Sequence, residues 1–474
     1  MRQVSLAFLV ATALVLVRPI DAAERPNIVF IFADDLAFDA IGAAGNTVVK
    51  TPNIDRLSAE GTTFSRAYNM GSYSGAVCIA SRNMLNTGRT LWRSQKIHKA
   101  AEKERQAGRF WSEHLKGAGY ETYMSGTWHN PAKTGKAFHY VTNVRPGMPN
   151  QTKEGYNRPI DGKPDPWSPY DPKFRGFWKG GKHWSEVLAD DAEGFLKQAK
   201  GRAAPFFMYL AFNAPHDPRQ APKEFVDRYP PEKIPLPKNF IPEYPHNEAA
   251  KTGRKLRDER LAPFPRTPRS VKVNRGEYYA IIEHMDVQIG RILKALEDTG
   301  KAKNTWVFFT ADHGLAVGQH GLMGKQNLYD HSVRVPFIVR GPGVTAGARN
   351  PARIYLQDVL PTTLEIAGIG KQKHIEFHSL MPLIKGTSTK GREAIYGAYL
   401  DAQRSITVGD HKLILYPKVK KLRLYNLAVD PLEMKDLASD AAEKPRIAKL
   451  FQRLLAEQKI LDDAVDLKAA YPEL

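Results

Sequence analysis

"NIVFIFADD" (Asn27–Asp35) and "TWVFFTADHG" (Thr305–Gly314) are built alike: an unbroken apolar, β-branched and aromatic run that ends in acidic side chains. "YETYMSGTWHN" (Tyr120–Asn130) and "PFFMYLAFNAPHDP" (Pro205–Pro218) repeat the design with imidazoles at the end. Apolar runs without polar alternation read as strands covered on both faces, as in a parallel or mixed sheet flanked by helices. In such sheets ligands bind in the crevice beyond the carboxyl ends of the strands. The polar residues that close the four runs are therefore expected to converge on one site: Asp34 and Asp35, His129, His216, and Asp312 with His313.

The segments between the runs support this frame. Ile281, Met285, Ile289, Ile292, Leu293 and Leu296 lie at helical spacing within Tyr278–Leu296, and that helix feeds the strand at Trp306. Val144–Trp184 and Asp217–Ser270 are rich in Pro, Gly and charge and read as long loops. The aromatics Trp167, Tyr170, Phe174 and Trp178 leave two readings, stacking against sugar rings or packing of the loop onto itself. Beyond Gly370, "EAIYGAYL", "RSITVG", "HKLILYP" and "LRLYNL" are short strand-like runs separated by turns. A final helix carries Ile447, Leu450, Phe451, Leu454 and Leu455 on one face. The expected fold class is α/β: a large mixed, mostly parallel sheet flanked by helices over residues 24–370. A smaller C-terminal α+β subdomain, an antiparallel sheet plus a helix, is expected over 371–474.

Arg2, an apolar run from Val4 to Val17 and the small residues Ala22 and Ala23 read as a signal peptide over residues 1–23. The run is shorter than the about 20 residues of a membrane span, and no later run is long and apolar enough to be one. The expected location is periplasmic or secreted. The chain carries 69 Lys and Arg against 50 Asp and Glu, a net charge of +19 that favours polyanionic partners. No helix-turn-helix, zinc-finger spacing or aromatic RNA-binding signature is present, so nucleic acid is not the expected partner. Cys78 is the one cysteine, which rules out an internal disulfide framework. By composition alone it reads as a small buried apolar residue.

Two constellations carry chemistry. Adjacent carboxylates at a strand end, Asp34 and Asp35, are costly unless a hard cation compensates them; Asp312 supplies a third carboxylate, and His313 a further ligand or a hydrogen bond to substrate. Oxygen-rich ligation points to Ca²⁺ or Mg²⁺ rather than zinc. After Cys78, "IASRNMLNTG" continues as a helix until Gly88, which places Cys78 near a helix N-terminus with Arg82 one turn on along the same face.

"VCIASRNMLNTGR" (Val77–Arg89) resembles the signature of the formylglycine-dependent sulfatases of the alkaline-phosphatase superfamily: a Cys, then Pro or Ala two residues on, Ser-Arg, and further on Thr-Gly-Arg. The resemblance extends along nearly the whole chain. "PNIVFIFADDLAFDAIGAAGN" is similar to that family's opening metal-binding strand, "GTWHN" to its Gly-Lys-Trp-His segment and "NAPHDP" to its Pro-His-x-Pro segment. "TADHGLAVGQHGLMGKQNLYDHSVRVPFIV" is similar to its metal Asp-His followed by a sulfate-contacting lysine, here Lys325. "LYNLAVDPLEMKDLA" matches its C-terminal pattern.

The resemblance implies that Cys78 is converted to formylglycine by a dedicated maturation enzyme, and that Asp34, Asp35, Asp312, His313 and the converted residue 78 hold Ca²⁺ or Mg²⁺. It further implies that Arg82 and the cation polarise the hydrate of residue 78 while Asp312 accepts its proton. Lys325 and His216 would stabilise the sulfuryl oxygens and the leaving alkoxide, and His129 would then release sulfate. Ala80 and Thr127 depart from the commoner residues; at 127 the family usually has a lysine that touches nucleophile and sulfate. His320 and His331 read as structural or substrate-side. The implied activity is hydrolysis of sulfate esters, with a sulfated carbohydrate as substrate from the basic charge, the export signal and the aromatic loops. A phosphonate or phosphate ester hydrolase of the same superfamily and a non-catalytic polyanion-binding protein are the alternatives.

Overall fold

The computed structural model describes residues 25–474, so the leader read at residues 1–23 lies outside the described residues. The strands are β1 (Asn27–Ala33), β2 (Thr62–Tyr68), β3 (Gly71–Ser72), β4 (Glu121–Thr127), β5 (Tyr140–Arg145), β6 (Phe206–Ala211) and β7 (Thr305–Ala311). They continue as β8 (Arg334–Val335), β9 (Phe337–Arg340), β10 (Ala348–Tyr355), β11 (Ala394–Tyr399), β12 (Gln403–Val408), β13 (His411–Tyr416) and β14 (Lys421–Asn426). The large sheet runs β10-β2-β9-β7-β1-β6-β4-β5, with β8 paired to β2.

The four apolar runs of the sequence are its adjacent central strands β7, β1, β6 and β4, all parallel. Their register aligns Ala33 with Ala311, Phe32 with Ala211, and Gly126 with Ala211, so the four chains leave the sheet at one edge. Gly126 has φ of 95°, and a Cβ there would lie 1.8 Å from the carbonyl oxygen of Ala211. Only glycine lets β4 approach β6 this closely where the chain turns out toward His129. Every residue of β1, β6 and β7 is buried, as expected of strands covered on both faces. Phe30 packs its ring 5.0 Å from Trp111 and 5.3 Å from Tyr209, an aromatic layer that fixes the position of β1 relative to β6.

The helix read as Tyr278–Leu296 begins ten residues earlier and spans Pro268–Asp298. Its first third, "PRSVKVNRGE", lacks an apolar stripe, but Thr267 and Ser270 form a capping box and Pro268 occupies the first turn. Trp167 and Phe174 are buried with ring centroids 6.1 Å apart, and the Arg158 guanidinium lies 4.6 Å from the Trp167 ring. For these two aromatics, packing of the loop onto itself is the outcome. The small sheet has the order β14-β13-β12-β11-β3. It is antiparallel as expected except at its edge, where Gly71–Ser72 adds parallel to β11 and ties the C-terminal strands to the stretch leading to Cys78. The C-terminal helix Lys444–Leu461, followed by the single turn Leu467–Ala470, buries Ile447, Leu450, Phe451 and Leu454. None of the described helices is long and apolar enough to cross a membrane.

Candidate active site

Beyond β1 the chain is held by its neighbours: the Asp34 N–H donates to the Ala214 carbonyl at 3.1 Å and the Asp312 N–H to the Ala33 carbonyl at 3.2 Å. Asp35 then takes a left-handed conformation, φ 69°. The Tyr278 hydroxyl holds that turn, donating to the Asp35 carbonyl at 2.7 Å and accepting from the Ala37 N–H at 2.9 Å. His129, where β4 ends, is also left-handed at φ 51°. Backbone strain of this kind persists only where the surroundings over-determine it, and it gathers at functional sites.

Cys78 is the second residue of the helix Val77–Thr87, which ends where Gly88, at φ 69°, donates its N–H to the Met84 carbonyl. The Cys78 Sγ lies 3.1 Å from His129 Nδ1. One turn on, Arg82 is fully buried and all three of its nitrogens are engaged: Nε with Asp312 Oδ2 at 3.1 Å, Nη2 with Asp34 Oδ2 at 3.0 Å and Nη1 with the Thr127 carbonyl at 3.0 Å. Arg82 thus holds the carboxylates in place. Lys325 Nζ donates to Asp35 Oδ1 at 2.7 Å. His216 Nε2 lies 3.8 Å from Asp35 Oδ2, and its Nδ1 lies 2.8 Å from the Asp217 carbonyl and 3.1 Å from Asp217 Oδ1. All nine residues singled out in the sequence, Asp34, Asp35, Cys78, Arg82, His129, His216, Asp312, His313 and Lys325, meet here.

Ligand atoms of Asp34, Asp35, Asp312 and His313 lie within 4.8 Å of one another, as do those of Asp34, Cys78 and His313. Asp34 Oδ1 and His313 Nε2 are buried with no hydrogen-bond partner, although His313 Nε2 is 3.3 Å from Asp35 Oδ1 and 3.4 Å from Asp312 Oδ1. Burial, then the negative charge of Asp312, pushes the Asp34 carboxyl well above the usual range despite Arg82. For Asp35 the cations His216, Lys325 and His313 outweigh the effect of burial and hold its carboxyl low. Three carboxylates around one point, with an orphaned oxygen and an orphaned ring nitrogen facing inward, fit a hard divalent cation.

The imidazoles are tuned in opposite directions. Burial, then Arg82 and Lys325, lowers His129 to about 4, so it is neutral at physiological pH. For His216, Asp35 and Asp217 overcome burial and raise the ring, which favours the protonated form. Lys325 is raised by Asp35 against burial and stays charged. A neutral base beside residue 78, a protonated acid across from it and a buried ammonium form a set suited to ester hydrolysis.

Several contributors carry no separable signal in the sequence. Asp217 lies within the quoted "NAPHDP", yet its contact with His216 Nδ1 depends on the turn around it. The Asn213 amide donates to the carbonyls of Pro146 and Gly147 at 2.8 and 3.1 Å. Gly147 lies so close to His129 that a Cβ would come within 2.3 Å of Cε1. At 127, threonine contributes its carbonyl to Arg82 while its Oγ1 is buried without a partner. His320 and His331 lie apart from this cluster, bonded to each other at 3.2 Å, with His320 Nε2 3.0 Å from the Glu433 carbonyl; they are structural.

A family model described as Sulfatase matches residues 26–369, and one described as N-sulphoglucosamine sulphohydrolase, C-terminal, matches residues 318–460. Among similar proteins, an arylsulfatase of Clostridium perfringens is 28% identical over 91% of this chain and 94% of its own length. An N-acetylglucosamine-6-O-sulfatase of Bacteroides thetaiotaomicron is 26% identical over 93% of this chain and 87% of its own. A protein solved with its substrate D-glucosamine-2-N,6-O-disulfate superposes with a TM-score of 0.71 at 24% identity, covering 93% of this chain and 99% of that one. The phosphonate monoester hydrolase of Silicibacter pomeroyi superposes at 0.73 with 21% identity over 93% and 96%. At these identities the two structures speak to the fold alone.

Proposed function

Since the chain belongs to the sulfatase family and is a sulfuric ester hydrolase, we propose that it desulfates a sulfated carbohydrate, using formylglycine at position 78 as nucleophile. The observation that carries the nucleophile is the placement of Cys78: second residue of a helix, Sγ 3.1 Å from His129 Nδ1, with the Asp34 carboxylate and His313 close by. A thiolate there would repel the anion it must attack. The hydrate of a converted residue offers two hydroxyls, one to attack sulfur and one whose deprotonation expels sulfate. The carbohydrate reading is supported by the net charge of +19 and by the named substrates of relatives such as the N-acetylglucosamine-6-O-sulfatase.

Asp34, Asp35, Asp312, His313 and residue 78 would hold Ca²⁺ or Mg²⁺, which supplies Lewis-acid polarisation of oxygen. The chain's own groups do the rest. Arg82 keeps Asp34 and Asp312 turned toward that point. Lys325 Nζ offers positive charge to the sulfuryl oxygens, and His216 Nε2 gives its proton to the departing alkoxide oxygen. His129 Nδ1, neutral and facing residue 78, takes a proton from the hydroxyl there. Maturation by a formylglycine-generating enzyme and a periplasmic or secreted location belong to the same reading.

The decisive measurement is the mass of the tryptic peptide Ala67–Arg82 alongside specific activity on defined sulfated oligosaccharides. Activity should rise in proportion to the converted fraction, and protein carrying only cysteine should be folded and inactive. High turnover by unconverted protein would overturn the nucleophile. Faster turnover of aryl phosphate or phosphonate esters than of sulfate esters would favour the other reading of this fold.

A further inference from the structure

The long loop Asp217–Ser270 puts three consecutive charged residues, Arg257, Asp258 and Glu259, against the backs of two site residues. We propose that this turn is a positioning brace with two arms, Arg257 setting His216 through Asp217 and Asp258 with Glu259 setting Lys325. The inference rests on the roles given above to His216 and Lys325.

The first arm starts from a buried carboxylate. Asp217 is 3% exposed and receives the Arg257 guanidinium on both oxygens, Nη1 on Oδ2 and Nη2 on Oδ1, the latter at 3.3 Å. Asp217 in turn faces His216 Nδ1 with its carbonyl and its Oδ1. A proton on Nδ1 therefore points at Asp217, which leaves Nε2 as the atom presented to the site. Arg257 also pairs with Asp258, so the fork is fixed from two sides. Without it, the buried Asp217 carboxylate would keep only the His216 ring as a counter-charge and would lose the fork that fixes its orientation.

The second arm works through an amide. Asp258 Oδ2 accepts from Gln326 Nε2 at 2.6 Å, and the same nitrogen donates to the Gly75 carbonyl at 3.1 Å. With the amide nitrogen committed to these acceptors, Gln326 Oε1 faces the Lys325 N–H at 3.0 Å. Glu259 accepts from the Met323 and Gly324 N–H groups at 2.9 and 2.8 Å and is itself held by Arg266 at 2.5 Å. The backbone before and at Lys325 is thus pinned to the same turn, and Gly75 links it to the approach to Cys78.

The arms end on groups with different tasks, so their loss has different signatures. His216 acts on the leaving oxygen, and its help matters most when that oxygen is strongly basic. Lys325 acts on sulfuryl oxygens common to every sulfate ester. The test compares Arg257→Met, Arg257→Lys, Asp258→Asn and His216→Asn, each normalised to its formylglycine content. Each is assayed on a nitroaryl sulfate, a good leaving group, and on a sugar sulfate, a poor one.

Arg257→Met should lose about 100-fold in kcat/KM on the sugar ester and less than about tenfold on the nitroaryl ester, in the range of a general acid's contribution. Arg257→Lys, which keeps the charge, should recover most of the sugar-ester activity. Asp258→Asn should lose the same factor on both esters, because Asp217 still holds Arg257; a loss confined to the sugar ester, or no loss, overturns the second arm. If Arg257→Met does not accumulate folded, Arg257→Gln, which keeps a donor for Asp217, carries the comparison. Equal losses on both esters for the Arg257 variant, with His216→Asn remaining selective, overturn the brace and leave the role of His216 standing. Equal losses for His216→Asn as well overturn both.

Discussion

Two buried polar clusters in this protein look alike by composition and differ in how their hydrogen bonds close. Around Lys412, the ammonium bonds Asp330 at 2.5 Å, Glu433 at 2.7 Å and the Leu328 carbonyl at 3.2 Å, while Glu433 accepts the Asp330 N–H at 2.7 Å. His320, His331 and Ser332 continue the network, and hydroxyl contacts join Tyr329 to Tyr244 and Tyr425 at 3.2 and 3.1 Å. None of these side chains is left with a buried unpartnered atom. At the ends of β1, β4 and β7, by contrast, Asp34 Oδ1, Thr127 Oγ1 and His313 Nε2 are orphaned. A closed network makes a unique, rigid joint between the C-terminal sheet and the main sheet. An open one keeps its capacity for a ligand that is not part of the chain.

The comparison can be broken at its extremes. Asp34→Asn should lower kcat/KM by about 10⁴-fold, the several kcal/mol that a Lewis acid contributes, with little change in thermal stability. Chelation of the wild-type protein should do the same, reversed by Ca²⁺ or Mg²⁺; full activity in metal-free protein would show that the open cluster takes no cation. Lys412→Met should behave inversely. It strands two buried carboxylates and should cost about 3–5 kcal/mol in denaturant titration, while the protein that remains folded turns over within about threefold of wild type.

Acidification tests the closed network directly. Burial, then nearby Lys412, lowers His320 to about 4 despite its bond to the Glu433 carbonyl. The unfolded chain takes up this proton near pH 6.5 and the folded chain only near 4, so stability falls as pH drops through that window, by about 3 kcal/mol in total. His320→Gln should flatten that part of the stability profile; an unchanged slope would refute the assignment. The smallest effect expected is that of Gly147→Ala. Its methyl would displace the His129 ring and lower kcat by about 100-fold, the cost of roughly 1 Å of misplacement, with the formylglycine content unchanged.

Much of the frame was legible because burial on both faces writes itself into a strand as an unbroken apolar run. That is why β1, β4, β6 and β7 and their terminal polar residues could be read without coordinates. The helix Pro268–Asp298 was half legible: its apolar stripe was visible from Ile281 onward, whereas its start is set by a side-chain cap at Thr267 and Ser270 that leaves no periodic trace. The fifth strand of the small sheet was invisible, since two residues, Gly71 and Ser72, carry no strand pattern and pair only because β11 is there.

The sequence by itself determined that carboxylates and imidazoles close the apolar runs that become β1, β4, β6 and β7, because strands buried on both faces place their polar side chains where the strand leaves the sheet. Only the tertiary structure decided what each of them faces. That Arg82 is fully engaged by Asp34, Asp312 and Thr127, that His216 and Lys325 rest against one turn some 40 to 70 residues away in the chain, and that Trp167 is packed rather than presented are all long-range outcomes. Local spacing records periodicity along one element. Which charge neutralises which, and which polar atom stays open, depends on distances between elements that no local pattern encodes.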